Sequence, residues 1–342
     1  MNERKGDKEM TADNRITRLR CLAIIVVVFG HSIILYDPSW GVYSSIYTVS
    51  MLMWVKNIIN TFQMPLFLFL SGFCFFYSVQ KHQYISRQSI IIGIIGKMKR
   101  LLLPFVVIAL FWMIPIRRNC KYTAWSDLNL IQICTRVFLG KDSGHLWFLP
   151  TLFLIFIFSF VVLPRKNKKT EDMLVLVVTF CGTVFASKIP AIFFLSNVAS
   201  SLYWFVLGFE CCKYKSISKD FINTRLKYGV LVSSIVAVLF IVRGEASGPF
   251  INVIEKIAVT FLIVSGYYCT SSEECSGLCR LISDESMGIY LFHSPLVYFT
   301  YAYYTDGMPV TVVFINFVVD GLIAMALTQL LRKSKVKWLI GY

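Results

Sequence analysis

Long runs of apolar residues alternate with short polar connections along almost the whole chain. A helix needs about 20 mostly apolar residues to cross the hydrocarbon core of a bilayer, and many of these runs approach that length. Their apolar positions are continuous rather than alternating, which favours helices over the strands of a membrane barrel. We therefore predict an all-α, polytopic integral membrane protein with about ten transmembrane helices. The predicted spans are 20–36, 62–79, 101–116, 145–163, 172–189, 191–212, 228–242, 250–269, 286–304 and 310–331.

The pattern leaves one stretch open: segment 44–60 either extends the second helix or lies along the membrane interface. We predict three parts for the whole chain, namely a cytoplasmic N-terminal segment (1–19), a transmembrane domain (20–331) and a cytoplasmic C-terminal tail (332–342). The stretch before the first span is too long and polar for a cleavable signal peptide, and no appended soluble domain is expected.

Composition excludes a soluble globular protein. Hydrophobic residues make up 56% of the chain, charged residues only 15%, and the mean hydropathy is +0.66. A soluble chain of 342 residues would need far more polar surface.

The net charge of +15 reflects membrane topology rather than a nucleic-acid partner. With the N-terminus inside, 25 Lys and Arg residues fall on the inner side of the membrane and 8 on the outer side. The positive-inside rule then predicts a multi-pass protein of the cell membrane with both termini cytoplasmic. The outer loop 117–144 is the exception, with five basic residues. We expect it to be solvated, although contact with an anionic glycan is the alternative.

The ten cysteines indicate neither a disulfide framework nor a metal site. Cys120 and Cys134 share the outer loop, so a bond between them stays open. Cys275 and Cys279 lack the further ligands that a four-coordinate zinc site needs. No metal and no bound cofactor are expected.

Histidines are the main candidates for chemistry, because three of the four lie at or inside predicted spans. Ionisable groups in the hydrocarbon are costly and usually face a cavity. His31 stands 11 residues after Arg20, which places the two side chains on one helix face about 16 Å apart. A long ligand along this face could touch both. The alternative is an ordinary basic anchor and an interfacial histidine.

Other polar residues mark further helix ends. Lys97, Lys99 and Arg100 lead into a span from the predicted cytoplasmic side, where cations could hold phosphates. His145 and Trp147 open the fourth span in GHLWFLP. Three more positions complete the candidates: Ser71 in the second span, and Tyr290 and His293 in SMGIYLFHSP.

Five of these motifs, taken in order, resemble the membrane-bound acyltransferase-3 family, whose members O-acylate envelope carbohydrates. They are Arg20 and His31 with ten residues between them, FQMPLFLFLSGF, KRLLLPF, HLWFL and IYLFHSP. The resemblance extends from Arg20 to Pro295. One departure is Thr17, which stands where members often have an acidic residue just before the arginine.

The resemblance implies an O-acyltransferase that moves an acyl group, most simply acetyl from acetyl-CoA, to a hydroxyl of an envelope carbohydrate. It implies a catalytic group of His31, Arg20 and His293, with His31 as general base, since an unperturbed imidazole titrates close to neutral pH. Lys99, Arg100 and Arg20 would hold the donor. The implied substrate-binding residues are His145, Trp147, Ser71 and Tyr290.

Acyl-CoA, a carbohydrate acceptor and the lipid bilayer are therefore the expected partners, and the sequence does not indicate an oligomeric state. Two other functions remain open. A transporter or flippase for a glycan or a lipid-linked sugar would also need buried histidines and a basic cytoplasmic mouth. A helical scaffold for other envelope enzymes would tolerate replacement of His31.

Overall fold

The computed structural model describes residues 14–43, 45–165, 168–214, 224–244 and 248–342. No β-strand occurs within these ranges, which confirms the predicted all-α class. The same ranges hold twelve helices of at least eight residues. They are α1 (Asn14–Ser32), α2 (Ser50–His82), α3 (Arg87–Asn119), α4 (Leu130–Phe138), α5 (Gly144–Val162), α6 (Lys169–Val184), α7 (Leu195–Lys213), α8 (Thr224–Arg243), α9 (Pro249–Cys269), α10 (Gly277–Asp284), α11 (Ser286–Tyr303) and α12 (Pro309–Lys333).

Within the described residues, six helices are long and apolar enough to cross a membrane: α2, α3, α5, α8, α9 and α12. Each of the ten predicted spans coincides with a helix, but a count of about ten crossings stays a prediction. The other four helices are more polar or shorter. Helix α1 carries three arginines near its start, α6 has only 16 residues, and α7 and α11 hold more polar side chains.

Large apolar side chains cover the outside of the bundle. Phe111, Phe240 and Val310 are 76%, 79% and 83% exposed. Such a surface would be unfavourable in water but suits hydrocarbon, where helix association depends on packing instead. Together with the six apolar helices, it identifies the chain as a multi-pass membrane protein.

Two helices begin well before their predicted spans. Helix α2 starts at Ser50, so most of the open segment 44–60 extends the second helix. Helix α3 starts at Arg87, although the predicted span begins only at 101. Ser86 caps α3, because its hydroxyl accepts a hydrogen bond from the Ser89 amide at 3.1 Å. The cap explains why the helix begins here, ahead of the predicted span.

The centre of the bundle is a close crossing of α2 and α7 at two glycines. A Cβ on Gly72 would overlap the backbone carbonyl of Phe205, and a Cβ on Gly208 would overlap that of Phe69. Each glycine therefore receives the backbone of the opposite helix, three residues from the partner glycine. Small residues at such a position allow two membrane helices to approach to backbone contact.

Loop 117–144 differs from the expected solvated loop. It contains helix α4, which begins with a capping box between Asn129 and Gln132. Arg117 is only 2% exposed, so the expectation of a solvated basic loop is wrong at this residue. The other four basic residues of the loop do not share this burial.

Cys120 and Cys134 are both free thiols, so the disulfide left open by the sequence is absent from the structure. Cys120 is fully buried, and this burial raises the pKa of its thiol to about 11. The thiol therefore keeps its proton at neutral pH and is a poor nucleophile.

Candidate functional site

Three histidines from three separate helices meet in the interior. The ring of His31, near the end of α1, lies 5.0 Å from that of His293 in α11, measured between centroids. His145, in the first turn of α5, lies 6.4 Å from His31 and 5.8 Å from His293. The structure thus brings together residues that are more than 250 positions apart in the chain.

Hydrogen bonds fix the tautomers of His31 and His293. The Nδ1 of His293 lies 2.8 Å from the carbonyl of Ile289, and the Nδ1 of His31 lies 2.9 Å from that of Val27. A carbonyl only accepts, so in each neutral ring Nδ1 carries the proton. His293 Nε2 is then an acceptor, 3.2 Å from His31 Nδ1, and the single Nδ1 proton of His31 is shared between this nitrogen and the Val27 carbonyl. The lone pair of His31 is left on Nε2.

His145 is held by a carbonyl that a proline releases. Pro295 has no N–H, so the carbonyl of Leu291, four residues earlier, loses its usual helical partner. His145 Nε2 lies 3.2 Å from this oxygen and donates to it. The Nδ1 of His145 is buried and has no hydrogen-bond partner among the residues that the structure describes. In the neutral ring it is a free acceptor.

Two tyrosines hold the backbone of the histidines. Tyr301 donates its hydroxyl proton to the carbonyl of His31 at 2.5 Å. Tyr290 donates to the carbonyl of His145. Helix α11 sets the geometry of the cluster, because each of these histidine and tyrosine side chains belongs to α11 or contacts it.

One face of the cluster opens into a cavity of about 290 Å³, which we call the His31 cavity. His31 and His145 line it, whereas His293 does not and is fully buried. The remaining lining is mostly aromatic or charged. It includes Ile34, Trp40, Arg117, Tyr122, Asp142, Gly144, Trp147, Ser294, Val297 and Tyr298.

Arg117 is the buried charge of the His31 cavity. Its guanidinium donates to the Tyr298 hydroxyl at 2.7 Å and pairs with Asp142 at 3.2 Å. The rings of Tyr122, Trp125 and Tyr298 lie 4.6, 5.2 and 4.9 Å from the guanidinium carbon. Such contacts stabilise a desolvated cation. Burial raises the pKa of Tyr122, so this phenol keeps its proton beside the guanidinium.

A second cavity of about 240 Å³ lies toward the other end of α1, and we call it the Arg20 cavity. Three cationic side chains line it: Arg20, Lys97 and Arg100. Lys99, which the sequence places with Arg100, is exposed and does not line this cavity. Two other predicted binding residues, Ser71 and Tyr290, do line it.

A thin layer of side chains separates the two cavities. Trp147 lines the His31 cavity, and its neighbour Phe148 lines the Arg20 cavity. Tyr290 lines the Arg20 cavity, and its ring lies 5.5 Å from that of His145. Arg20 and His31 therefore line different cavities, although both belong to α1. The predicted substrate-binding residues divide in the same way: Ser71 and Tyr290 line the Arg20 cavity, and His145 and Trp147 line the His31 cavity.

Sequence reasoning missed four important residues of the His31 cavity. Trp40, Asp142 and Tyr298 gave no motif, because their proximity depends on the packing of separate segments. Arg117 could have been singled out, because it directly follows a long apolar run. The charge count instead treated it as one of five basic residues in an outer loop.

Comparison with protein families gives one match. A family model described as an acyltransferase domain, that of the acyltransferase-3 family, matches residues 13–331. This range contains both cavities except for Tyr342. Comparisons with curated proteins and with solved structures give no significant match.

Proposed function

We propose that this chain, which belongs to the acyltransferase-3 family, is an O-acyltransferase that moves an acetyl group from acetyl-CoA to a hydroxyl of an envelope carbohydrate. That it is a membrane acyltransferase follows from the family and the apolar helices. The donor, the acceptor and the residue roles are the proposal. Its main support is the His31–His293 hydrogen bond, which leaves a basic nitrogen beside one cavity while a cationic cavity lies behind it.

The Arg20 cavity supports a site for the donor. Arg20, Lys97 and Arg100 supply the positive charge that the phosphates of coenzyme A require, and guanidinium groups bind phosphate oxygens in pairs. The pantetheine arm would extend past Ser71, with the thioester close to Tyr290. This orientation brings the acyl carbonyl to the layer that separates the two cavities.

His31 is the proposed general base. Its Nε2 takes the proton of the acceptor hydroxyl while the hydroxyl oxygen attacks the thioester carbonyl. The C–S bond then breaks, the ester forms, and the thiolate of coenzyme A leaves. His31 Nδ1–H stays hydrogen-bonded to His293, which orients the ring and helps to disperse the charge of the imidazolium.

The proposed orientation puts the Arg20 cavity on the cytoplasmic side, where acetyl-CoA is made. The excess of basic residues at this end of the chain's spans supports it. The His31 cavity then faces away from the cytoplasm, toward the envelope. Both chain termini would be cytoplasmic in the cell membrane.

The decisive assay supplies the purified protein with acetyl-CoA labelled in the acetyl group and with envelope glycans from a strain that lacks the protein. We expect alkali-labile label in the glycan and release of an equal amount of coenzyme A. A transporter or a scaffold would give neither product. Mass spectrometry of glycans from deletion and wild-type cells then identifies the acceptor.

The donor site has a matched pair of variants. Lys97→Ala should raise the KM for acetyl-CoA by about tenfold with kcat nearly unchanged, since a lost phosphate contact affects binding of ground state and transition state alike. Lys99→Ala removes the same charge two residues away, outside the cavity, and should leave this KM unchanged. A larger effect of Lys99→Ala would refute the assignment of the Arg20 cavity.

A further inference from the structure

We infer that the His31 cavity is the acceptor site and that it selects an uncharged, hydroxyl-rich ring, held between Trp40 and the Arg117–Asp142 pair. This inference rests on the proposed function and adds to it the chemical class of the acceptor. The residues named here carry no assigned role in the donor site.

The size and position of the His31 cavity support its assignment as the acceptor site. Its volume of about 290 Å³ lies at the small end of ligand pockets, which range upward from about 300 Å³. This volume suits a single sugar ring. The same cavity contains His31, whose Nε2 carries the free lone pair. A ring placed there can present a hydroxyl to the base without crossing the layer that separates it from the donor.

The charge of the cavity decides between a neutral and an anionic acceptor. Arg117 is balanced by the Asp142 carboxylate at 3.2 Å, and aromatic rings surround its guanidinium. A carboxylate or phosphate on the acceptor would gain little from this neutralised cation and would be repelled by Asp142. Hydroxyl groups, by contrast, donate to a carboxylate and accept from a guanidinium, so they use both members of the pair.

Among the described residues, the guanidinium of Arg117 keeps one N–H group without a partner. The Nε of Arg117 is buried and has no hydrogen-bond partner among the described residues. A buried donor without a partner is unfavourable, so a ligand oxygen that reached it would relieve that cost. The lining also has an aromatic part, since Trp40 packs against Tyr298 and Tyr301 at 6.1 and 5.6 Å. Aromatic faces suit the C–H surface of a sugar ring.

The test uses the purified full-length protein, acetyl-CoA and four simple acceptors: the methyl pyranosides of glucose, galactose, N-acetylglucosamine and glucuronic acid. We expect at least one neutral glycoside to be O-acetylated in a saturable manner, and the glucuronide to be a poor acceptor. Preference for the glucuronide, or failure of every neutral glycoside while envelope glycan is acetylated, overturns the inference.

Two variants locate the site. Trp40→Ala should raise the KM for the neutral acceptor by about tenfold or more while the KM for acetyl-CoA stays the same, because an aromatic contact and its buried area are lost. Asp142→Asn leaves the charge of Arg117 unbalanced and should turn the glucuronide into an acceptor comparable with the neutral glycosides. Trp54→Ala, in α2 and outside both cavities, is the control and should change neither KM.

The two proposals fail in different ways. Absence of acetyl transfer to any acceptor, envelope glycan included, refutes the proposed function. Transfer to envelope glycan with an acceptor KM that Trp40→Ala leaves unchanged refutes only the acceptor site. Should Asp142→Asn fail to fold, Trp40→Ala and the comparison of neutral and acidic glycosides still decide the question.

Discussion

At the scale of single residues, the site depends on which nitrogen of each imidazole carries the proton. His31 and His293 are both tied through Nδ1 to a carbonyl of their own helix, four residues earlier. This common contact gives both rings the same tautomer and makes one the donor and the other the acceptor. Of the two rings only His31 lines a cavity, so His31 is the one that can contact a substrate and His293 is the one that supports it.

The first prediction concerns His31. Both His31→Ala and His31→Gln should lower the rate of acetyl transfer by about 100- to 10,000-fold, the usual loss for a general base. Glutamine retains volume and a hydrogen bond but cannot take the proton of a hydroxyl. Turnover is measured on monodisperse protein, and binding of acetyl-CoA, which depends on the other cavity, should be preserved.

A structural role for His31 would give a different result. If either variant kept more than about a tenth of wild-type turnover, a loss below the range for a general base, the base would have to be another group. His145, with its free Nδ1 on the same cavity, would then be the next candidate.

The second prediction concerns Gly144, which precedes His145. Its φ of +52° lies in the left-handed region, and a Cβ there would overlap the Arg117 guanidinium. Gly144→Ala should therefore displace Arg117 from Asp142 and lower acceptor use and thermal stability together. Gly229→Ala in α8, where a Cβ meets nothing within 4 Å, should leave both unchanged. Transfer rates and melting temperatures of the two variants test this.

At the scale of elements, hydrophobic pattern located every long helix but not where each begins. Apolar runs report contact with lipid or the core and do not mark the first turn of a helix, so segment 44–60 stayed open for α2 and α3 begins before its predicted span. Helix α4 was missed because nine residues between polar segments give too short a run. Caps such as Ser86 carry this information, but serine is also common in loops.

The candidate site was predictable only in part for a related reason. The cost of burial singled out three histidines that the structure brings together, since each lies in an apolar run. Spacing along α1 placed Arg20 and His31 on one face, yet it could not reveal that two cavities divide that face. Contacts between distant segments, such as Arg117 with Tyr298, depend on packing that no local pattern encodes.

The third prediction concerns the α2–α7 crossing. Gly72→Ala and Gly208→Ala each place a methyl group against a backbone carbonyl that no rotamer change can remove. We expect each to destabilise the protein by about 1–3 kcal/mol, the range for overpacking, seen as a lower melting temperature in detergent. Gly182→Ala in α6, whose nearest neighbour would be 3.9 Å away, is the matched control. Equal stability of all three variants would contradict the crossing.

At the scale of the whole molecule, the fourth prediction concerns topology. Reporter fusions should place both Asn14 and Tyr342 in the cytoplasm, because 25 of the Lys and Arg residues then lie inside and 8 outside. A fusion after Lys141 should report the opposite side. An extracytoplasmic reading at Tyr342 would reverse the assignment of the two cavities.

The layer between the two cavities has an electrical consequence for the proposed reaction. The acceptor's proton enters His31 from one side of the membrane, whereas the thiolate of coenzyme A must find its proton on the other. His293 offers no onward route, since its second nitrogen is committed to Ile289. In the proposed reaction, each turnover thus separates one charge between the two cavities. Moving one elementary charge through 100 mV is worth about 2.3 kcal/mol. The membrane voltage therefore contributes to the free-energy change of the proposed ester synthesis.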